Sequence, residues 1–317
     1  MALSAQNRTI VGMAALALGI LVFSTQDAII KSISGEYALT QAIVIRSLVS
    51  LPILLVMAHF ETGLSALISR NFKSLVGRGA VLLVSYTSYY MAFPALPLAE
   101  AIALYFISPI IVTLLAGPLL GERVTIRSWG AVGAGFAGVL FIMRPGVGLF
   151  EPATLLSLLS AAAYAFGMTL ARKLGDQEPS AVMAFYQNAV YGVGALAIAG
   201  ICAAFQVTRL GHPSLDFLVR PWAAPTARDF LLMAACGVIA AVAMWLLTQA
   251  YRMAEANRVT VFEYTGMIWA PLWGYLFFAE VPRLTTLIGM GLIVAAGLAA
   301  AQGATAASAN EPASQSA

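Results

Sequence analysis

Residues 98–122 read LAEAIALYFISPIIVTLLAGPLLGE, an almost unbroken apolar run closed by a Gly-Glu turn. About 20 apolar residues wound as a helix match the hydrocarbon thickness of a bilayer. The stretch therefore reads as a membrane-crossing helix that stops at Gly121-Glu122. A weaker copy stands late in the chain, where residues 256–280 read ANRVTVFEYTGMIWAPLWGYLFFAE. An offset of 158 residues (280 minus 122) lays Leu119-Leu120-Gly121-Glu122 on Phe277-Phe278-Ala279-Glu280. The same offset lays Phe106 on Tyr264, and Gly133 of the next apolar run on Gly291. An apolar helix, an acidic turn and a glycine-dotted apolar helix thus occur twice, which predicts an internal duplication.

Working outward, the whole chain is apolar. Its 317 residues are 61% hydrophobic and 10% charged, against about 25% charged residues in a soluble domain. Such a chain cannot cover a globular surface with polar groups, so the lipid bilayer is its expected solvent and partner. The formal charge of +3 carries less meaning than the placement of Lys and Arg, and no nucleic-acid partner is expected. Cys202 and Cys236 lie in apolar runs without metal-ligand spacing and read as small core residues. No cofactor or metal is expected either. The chain has no GxxxxGK[ST] loop, no HExxH, no Ser/His/Asp set and no DDxxD motif, and both histidines, His59 and His212, fall in loops or at helix ends. These absences argue against an ATP-driven pump and against an enzyme. The alternative, a membrane-embedded enzyme acting on a lipid, needs Asp27 and Glu263 to converge.

Ten runs are long and apolar enough for membrane helices: 10–33, 37–59, 75–93, 98–120, 126–143, 152–170, 181–205, 230–251, 259–278 and 285–301. Residues 1–9 are short and polar, and the first run lacks a small-x-small cleavage site before Asp27, so it reads as a retained helix. The tail at 302–317, QGATAASANEPASQSA, is expected to be disordered. With the N-terminus in the cytoplasm, cytoplasmic segments carry Arg8, Arg70, Lys73, Arg78, Arg123, Arg127, Arg172, Lys173, Arg252 and Arg258. The opposite side carries Lys31, Arg144, Arg209, Arg220, Arg228 and Arg283. That bias puts both termini inside. The long connection at 206–229, with Arg209, Arg220 and Arg228, is the segment that runs against it. Its Trp222 is expected at the membrane interface, where indole rings are favoured.

Ten helices divide into two sets of five, at 10–147 and 148–301. Five is odd, so the second set enters from the opposite face, and the fold class is all-α integral membrane with ten helices in two inverted repeats. A second offset, of 141 residues, lays Lys31 on Arg172 and Arg46 on Gln187, which supports the duplication.

At this point the chain resembles the drug/metabolite transporter superfamily, and within it the ten-helix EamA-type metabolite transporters. Arg46, Pro109, the turns LLGE (119–122) and FFAE (277–280), and the glycines Gly130, Gly133, Gly135 and Gly138 carry the resemblance. Met267 stands where Pro109 stands in the first copy, with Pro271 one turn later. The resemblance implies an inner-membrane carrier of a small-molecule substrate that works by alternating access. It also implies a central cavity lined from both halves. The fifth and tenth helices are implied at the periphery, where they can mediate a homodimer.

Charges inside helices are the first site candidates, because a charge at mid-bilayer costs about 2.5–3.5 kcal/mol on insertion scales. Glu263 can hold a cationic group or carry a proton, or form a structural pair with Arg46, Arg252 or Arg258. Drive by protons and uncoupled facilitation are both open. Arg46 can grip a carboxylate of the solute or of the protein. Asp27 has Lys31 at i+4 on its face, which predicts an Asp27–Lys31 pair near the interface. Glu100 begins the fourth run, where the helix dipole favours an anion. Tyr86, Tyr89, Tyr90 and Phe93 follow i, i+3, i+4, i+7 and share one face, expected to be a cavity wall or an interface belt. Tyr105 and Phe106, Tyr164, the polar trio Tyr186-Gln187-Asn188, Trp245 with Gln249, and Tyr264 complete the candidates. Trp269 and Trp273 read as packing residues. The third, fourth, sixth, eighth and ninth runs are expected to line the cavity. Many rings around one acid and one Arg suit a small amphipathic or ring-bearing metabolite, such as an amino acid, an amino-acid derivative or a flavin-like compound.

Overall fold

The computed structural model describes residues 5–120, 126–144, 151–174, 178–253 and 264–309. Among them the secondary structure is helical, with no strand. In chain order the helices are α1 (Ala5–Ile33), α2 (Leu39–Glu61), a 3-10 turn at Leu64–Leu67, α3 (Phe72–Ala92), α4 (Leu98–Tyr105) and α5 (Ser108–Leu120). They continue with α6 (Ile126–Met143), α7 (Pro152–Leu174), α8 (Ser180–Ala204), α9 (Pro213–Val219), α10 (Ala227–Met253), α11 (Gly266–Phe278) and α12 (Leu284–Ala309). Four segments are long and apolar enough to cross a membrane by length and composition: Ala14–Ile33, Leu39–Glu61, Pro152–Ala171 and Ala181–Ala204. Shorter apolar helices stand at Leu98–Val112, Val132–Met143, Gly266–Phe278 and Leu284–Ala299. Leu48, Val56, Val193, Ile201, Ile268 and Phe277 are all more than half exposed. An exterior this apolar suits lipid rather than water.

The expected fourth helix is not continuous. The chain leaves the helix at Phe106-Ile107 and resumes at Ser108. Pro109 explains the break: it has no N–H to bond the carbonyl of Tyr105, so the helix does not run on unbroken through this turn. The tail also differs from expectation. α12 runs on to Ala309, because an anchored helix propagates at little cost through the alanines that follow Gln302. Residues 310–317 lie outside the described part.

Helices α6 and α12 meet along a glycine seam. A Cβ built on Gly138 would stand 2.8 Å from the backbone oxygen of Gly289, and one on Gly289 would stand 2.6 Å from that of Gly138. Neither position has room for a side chain. Glycines from the stripe in α6 are therefore used within the chain, as small residues let membrane helices approach closely. Gly130 and Gly133 face open space.

The ends of α1 and α11 and the starts of α2, α4, α7 and α10 are tied together at one end of the bundle by side-chain contacts. The long connection folds over it rather than hanging free. His212 Nδ1 accepts from the Ser214 N–H at 3.2 Å and caps α9, and its Nε2 lies 3.0 Å from Glu151 Oε1. Phe217 is fully buried. Arg220 donates to the carbonyls of Ser34 (2.9 Å) and Tyr37 (3.1 Å). Trp222 is exposed, as an interfacial ring would be, but its Nε1 donates to Thr40 Oγ1 at 2.9 Å. Gln41 exchanges two hydrogen bonds with the backbone of Ala223. Arg220 therefore satisfies backbone carbonyls at a helix end. That is a physical reason for a cation on the side where the charge rule expects few.

Asp216 ties this connection together. It accepts from the N–H groups of Leu210 (2.6 Å) and Gly211 (3.0 Å) and pairs with Arg209 at 3.5 Å. The Leu210 N–H, then that of Gly211 and the Arg209 charge, hold its carboxyl below the usual range against a smaller opposing effect of burial. Asp229, held low first by the Thr226 hydroxyl and then by that of Tyr37, behaves alike. A carboxylate stabilised in the folded state contributes above its unfolded pKa, about 3.9, and the contribution is lost as pH falls through the lower folded value. Trp222 fluorescence should thus be steady from pH 7 to about 4 and change below that. In Asp216→Asn the baseline should be shifted at neutral pH already, and the acid transition should shrink.

The FFAE turn closes α11. Ala279 is left-handed (φ 53°, ψ 28°), and the Glu280 N–H bonds back to the Gly274 carbonyl at 3.0 Å. This six-residue closure favours glycine at the left-handed position, which is the residue the first copy carries, Gly121. Ala279→Gly should raise stability by about 0.5–1 kcal/mol, relief of αL strain exceeding the added chain entropy. Thermal unfolding in detergent measures it.

Candidate functional site

Inside the bundle, polar and aromatic side chains converge from several helices. α1 contributes Gln26 and Asp27, one residue apart. Gln26 Nε2 donates to the Tyr90 hydroxyl at 2.5 Å, and Arg46 Nε of α2 donates to Gln26 Oε1 at 3.2 Å. The Tyr89 hydroxyl donates to Asp27 Oδ2 at 3.0 Å. Arg46 also lies over the Tyr191 ring, 5.4 Å from its centroid, a cation–π geometry. The guanidinium is 9% exposed, and its Nη1 is buried with no hydrogen-bond partner among the described residues.

The expected Asp27–Lys31 pair does not form. Lys31 Nζ reaches Glu280 Oε1 at 2.5 Å and the Leu96 carbonyl at 2.8 Å, and lies 5.2 Å from the centre of the Phe278 ring. Glu280 Oε2 accepts the Leu98 N–H at 2.8 Å, at the start of α4. The physical reason is competition. A spacing of i+4 on a helix gives a weak, solvated pair, whereas Glu280 offers Lys31 a buried partner that also answers an unsatisfied helix-start N–H. Asp27 is left with the Tyr89 hydroxyl and belongs to no ion pair among the described residues.

The rings form a connected set. Centroid distances run Phe93–Tyr89 4.8 Å, Tyr89–Tyr105 4.8 Å, Tyr105–Tyr164 5.2 Å, Tyr164–Tyr86 6.4 Å and Tyr86–Tyr191 5.8 Å. Phe106 joins Tyr264 at 5.9 Å. Asp27, Tyr86, Tyr105, Phe106 and Tyr164 are half-buried. Tyr89, Tyr90 and Phe93 are buried, which removes the interface-belt alternative for Tyr90 and Phe93.

A profile of the EamA-like transporter family matches residues 10–144 and, a second time, residues 152–300. The chain belongs to the EamA-like transporter family. Among the relatives of this EamA-like chain, the Pseudopaline exporter CntI of Pseudomonas aeruginosa is 28% identical over 91% of this chain and 95% of its own length. The Riboflavin transporter of Rhizobium johnstonii is 32% identical over 64% of this chain and 62% of its own. The S-adenosylmethionine uptake transporter of Rickettsia bellii is 24% identical, covering 73% and 72%. A solved crystal structure superposes with a TM-score of 0.61 at 20% identity over 94% of this chain and 97% of the other, which shows a shared fold.

In this EamA-like protein the ring cluster joins side chains of both matched segments. Tyr164, Gln187, Tyr191 and Tyr264 come from the second; Asp27, Arg46, Tyr86, Tyr89, Tyr90 and Tyr105 come from the first. Helices α1, α2 and α8 contribute in addition to the runs expected to line the cavity. Gln187 is buried, while its neighbours diverge. Tyr186 donates to the Leu67 carbonyl at 2.7 Å, and Asn188 Oδ1 accepts from Ser50 at 3.2 Å. Successive helical residues point about 100° apart, so the expected trio points in three directions. Glu100, in the first turn of α4, accepts from Thr286 of α12 at 3.0 Å. Trp273 packs, as expected, and also donates to Ser24 at 2.8 Å. Glu263 and the side chains of Trp245, Gln249, Arg252 and Arg258 lie outside the described part. Gln26 and Tyr191 were not among the expected site residues. A glutamine in an apolar helix is a signal that needs a polar partner, and Gln26 carries it as plainly as Gln249. Tyr191, at i+4 from Gln187, has a spacing signal too.

Proposed function

We propose that the protein is a secondary transporter of ten helices in two inverted five-helix repeats. It sits in the inner membrane with both termini in the cytoplasm. It moves a small amphipathic or ring-bearing organic metabolite by alternating access. The observation that carries this reading is the ring cluster around Asp27 and Arg46, built from both family segments, in which Tyr86, Tyr105 and Tyr164 stay half-buried and neither Asp27 nor Arg46 has an ion-pair partner among the described residues. A purely structural core buries its rings fully and pairs its charges. Relatives named for pseudopaline, riboflavin and S-adenosylmethionine support a small organic solute with rings or charges at its ends.

The test is counterflow into liposomes containing the purified protein, with a panel of neutral and aromatic amino acids, S-adenosylmethionine and riboflavin. Accelerated exchange of one class is the expected result. Folded protein in sealed vesicles that exchanges no member of the panel would overturn the reading.

A further inference from the structure

We propose that the solute is a zwitterion held end to end, its cationic group on Asp27 and its carboxylate on Arg46, with its apolar body against Tyr86. This deepens the transporter reading and rests on it. An acid and an arginine stand close together inside the bundle. Arg46 Nε bonds Gln26, the residue next to Asp27. Yet the two form no ion pair with each other or with any other described residue.

Each has binding capacity left over. Arg46 Nη1 is buried and without an acceptor among the described residues. Asp27 uses one carboxylate oxygen on Tyr89 and is half-buried rather than sealed off. Tyr89 and Gln26 hold the two charged groups in place, Tyr89 by donating to Asp27 and Gln26 by accepting from Arg46. The pair is thereby kept from collapsing onto itself. Buried charges of opposite sign that are fixed but not in contact are costly until something bridges them. A single guest that completes both has a positive and a negative end, and so no net charge. A guest with one charge leaves the other group unmatched, and that mismatch is what discriminates against it. A flavin ring system, which has neither end, uses the rings alone.

Three probes share one skeleton and differ only in charge: phenylalanine, phenethylamine, which lacks the carboxylate, and 3-phenylpropionate, which lacks the amine. Riboflavin is the fourth. Binding to the full chain is read as ligand-dependent thermal stability, and flux as counterflow. Phenylalanine should bind about tenfold or more tightly than either single-charge analogue. In Asp27→Asn the advantage over 3-phenylpropionate should vanish, and in Arg46→Gln the advantage over phenethylamine should vanish. The wild-type comparison stands by itself if a variant fails to fold. Flux of riboflavin, or of the three phenyl compounds alike, would overturn the zwitterion proposal and leave the transporter reading intact. Flux and binding of none of the four would overturn the proposal, and the wider panel would then decide the transporter reading separately.

Discussion

Glu280→Ala is expected to lower folding stability by about 3 kcal/mol, the low end of the cost of removing one partner from a buried pair, because this pair is partly buried. Lys31 and Glu280 side chains are 10% and 24% exposed, so little solvent is at hand to screen the loss. The substitution strands the Lys31 ammonium beside the Phe278 ring with only the Leu96 carbonyl to receive it. It also leaves the Leu98 N–H without the acceptor that caps α4. The double variant Lys31→Met/Glu280→Ala discriminates the causes. If the stranded charge dominates, the double variant recovers much of the stability lost by Glu280→Ala alone. If the α4 cap dominates, it recovers none. A loss below about 1 kcal/mol in Glu280→Ala would mean that the pair behaves as an ordinary surface salt bridge.

That pair also shows what could be read from the chain and what could not. The FFAE turn was legible as a turn, and most of the apolar runs as helices, because lipid exposure forces a continuous hydrophobic pattern; Gly121-Glu122 lies outside the described residues. The aromatic face of α3 was legible through its spacing. Partner choice was not. Lys31 and Glu280 are 249 positions apart, and no local rule connects them, whereas Asp27 stood at a helical spacing that invites a pairing. Likewise the chain 98–120 read as one helix, whereas the break before Pro109 depends on how α4 packs on α7 and α11. Arg220 read as a misplaced cation until the carbonyls of Ser34 and Tyr37 accounted for it.

Arg46→Met should abolish saturable solute exchange, a fall of over about 100-fold if two charge-assisted hydrogen bonds to the solute are lost, while stability changes by no more than about 1–2 kcal/mol. The reasoning separates the two roles that a buried arginine can play. A structural arginine is paired; this one has an idle Nη1 and no carboxylate in contact among the described residues. Methionine keeps much of the volume against Tyr191 and relieves the cost of the buried charge. Gln26 Oε1 loses a donor, which limits the gain. Counterflow and thermal unfolding on the same preparation measure both. A large drop in stability would assign Arg46 to holding the fold instead.

The seam between Gly138 and Gly289 bears on how the protein is made. The first glycine enters the membrane about 150 residues ahead of the second, roughly 8–30 s earlier at ~5–20 residues per second. For that interval a bare backbone groove faces acyl chains, which fill it poorly. The last helix to be synthesised is the one that fills it, so a ribosome that stops before residue 284 releases a chain with an open flank. Pulse-chase labelling should find such a truncated chain short-lived beside the full one, and equal lifetimes would mean that the flank is not what the cell inspects.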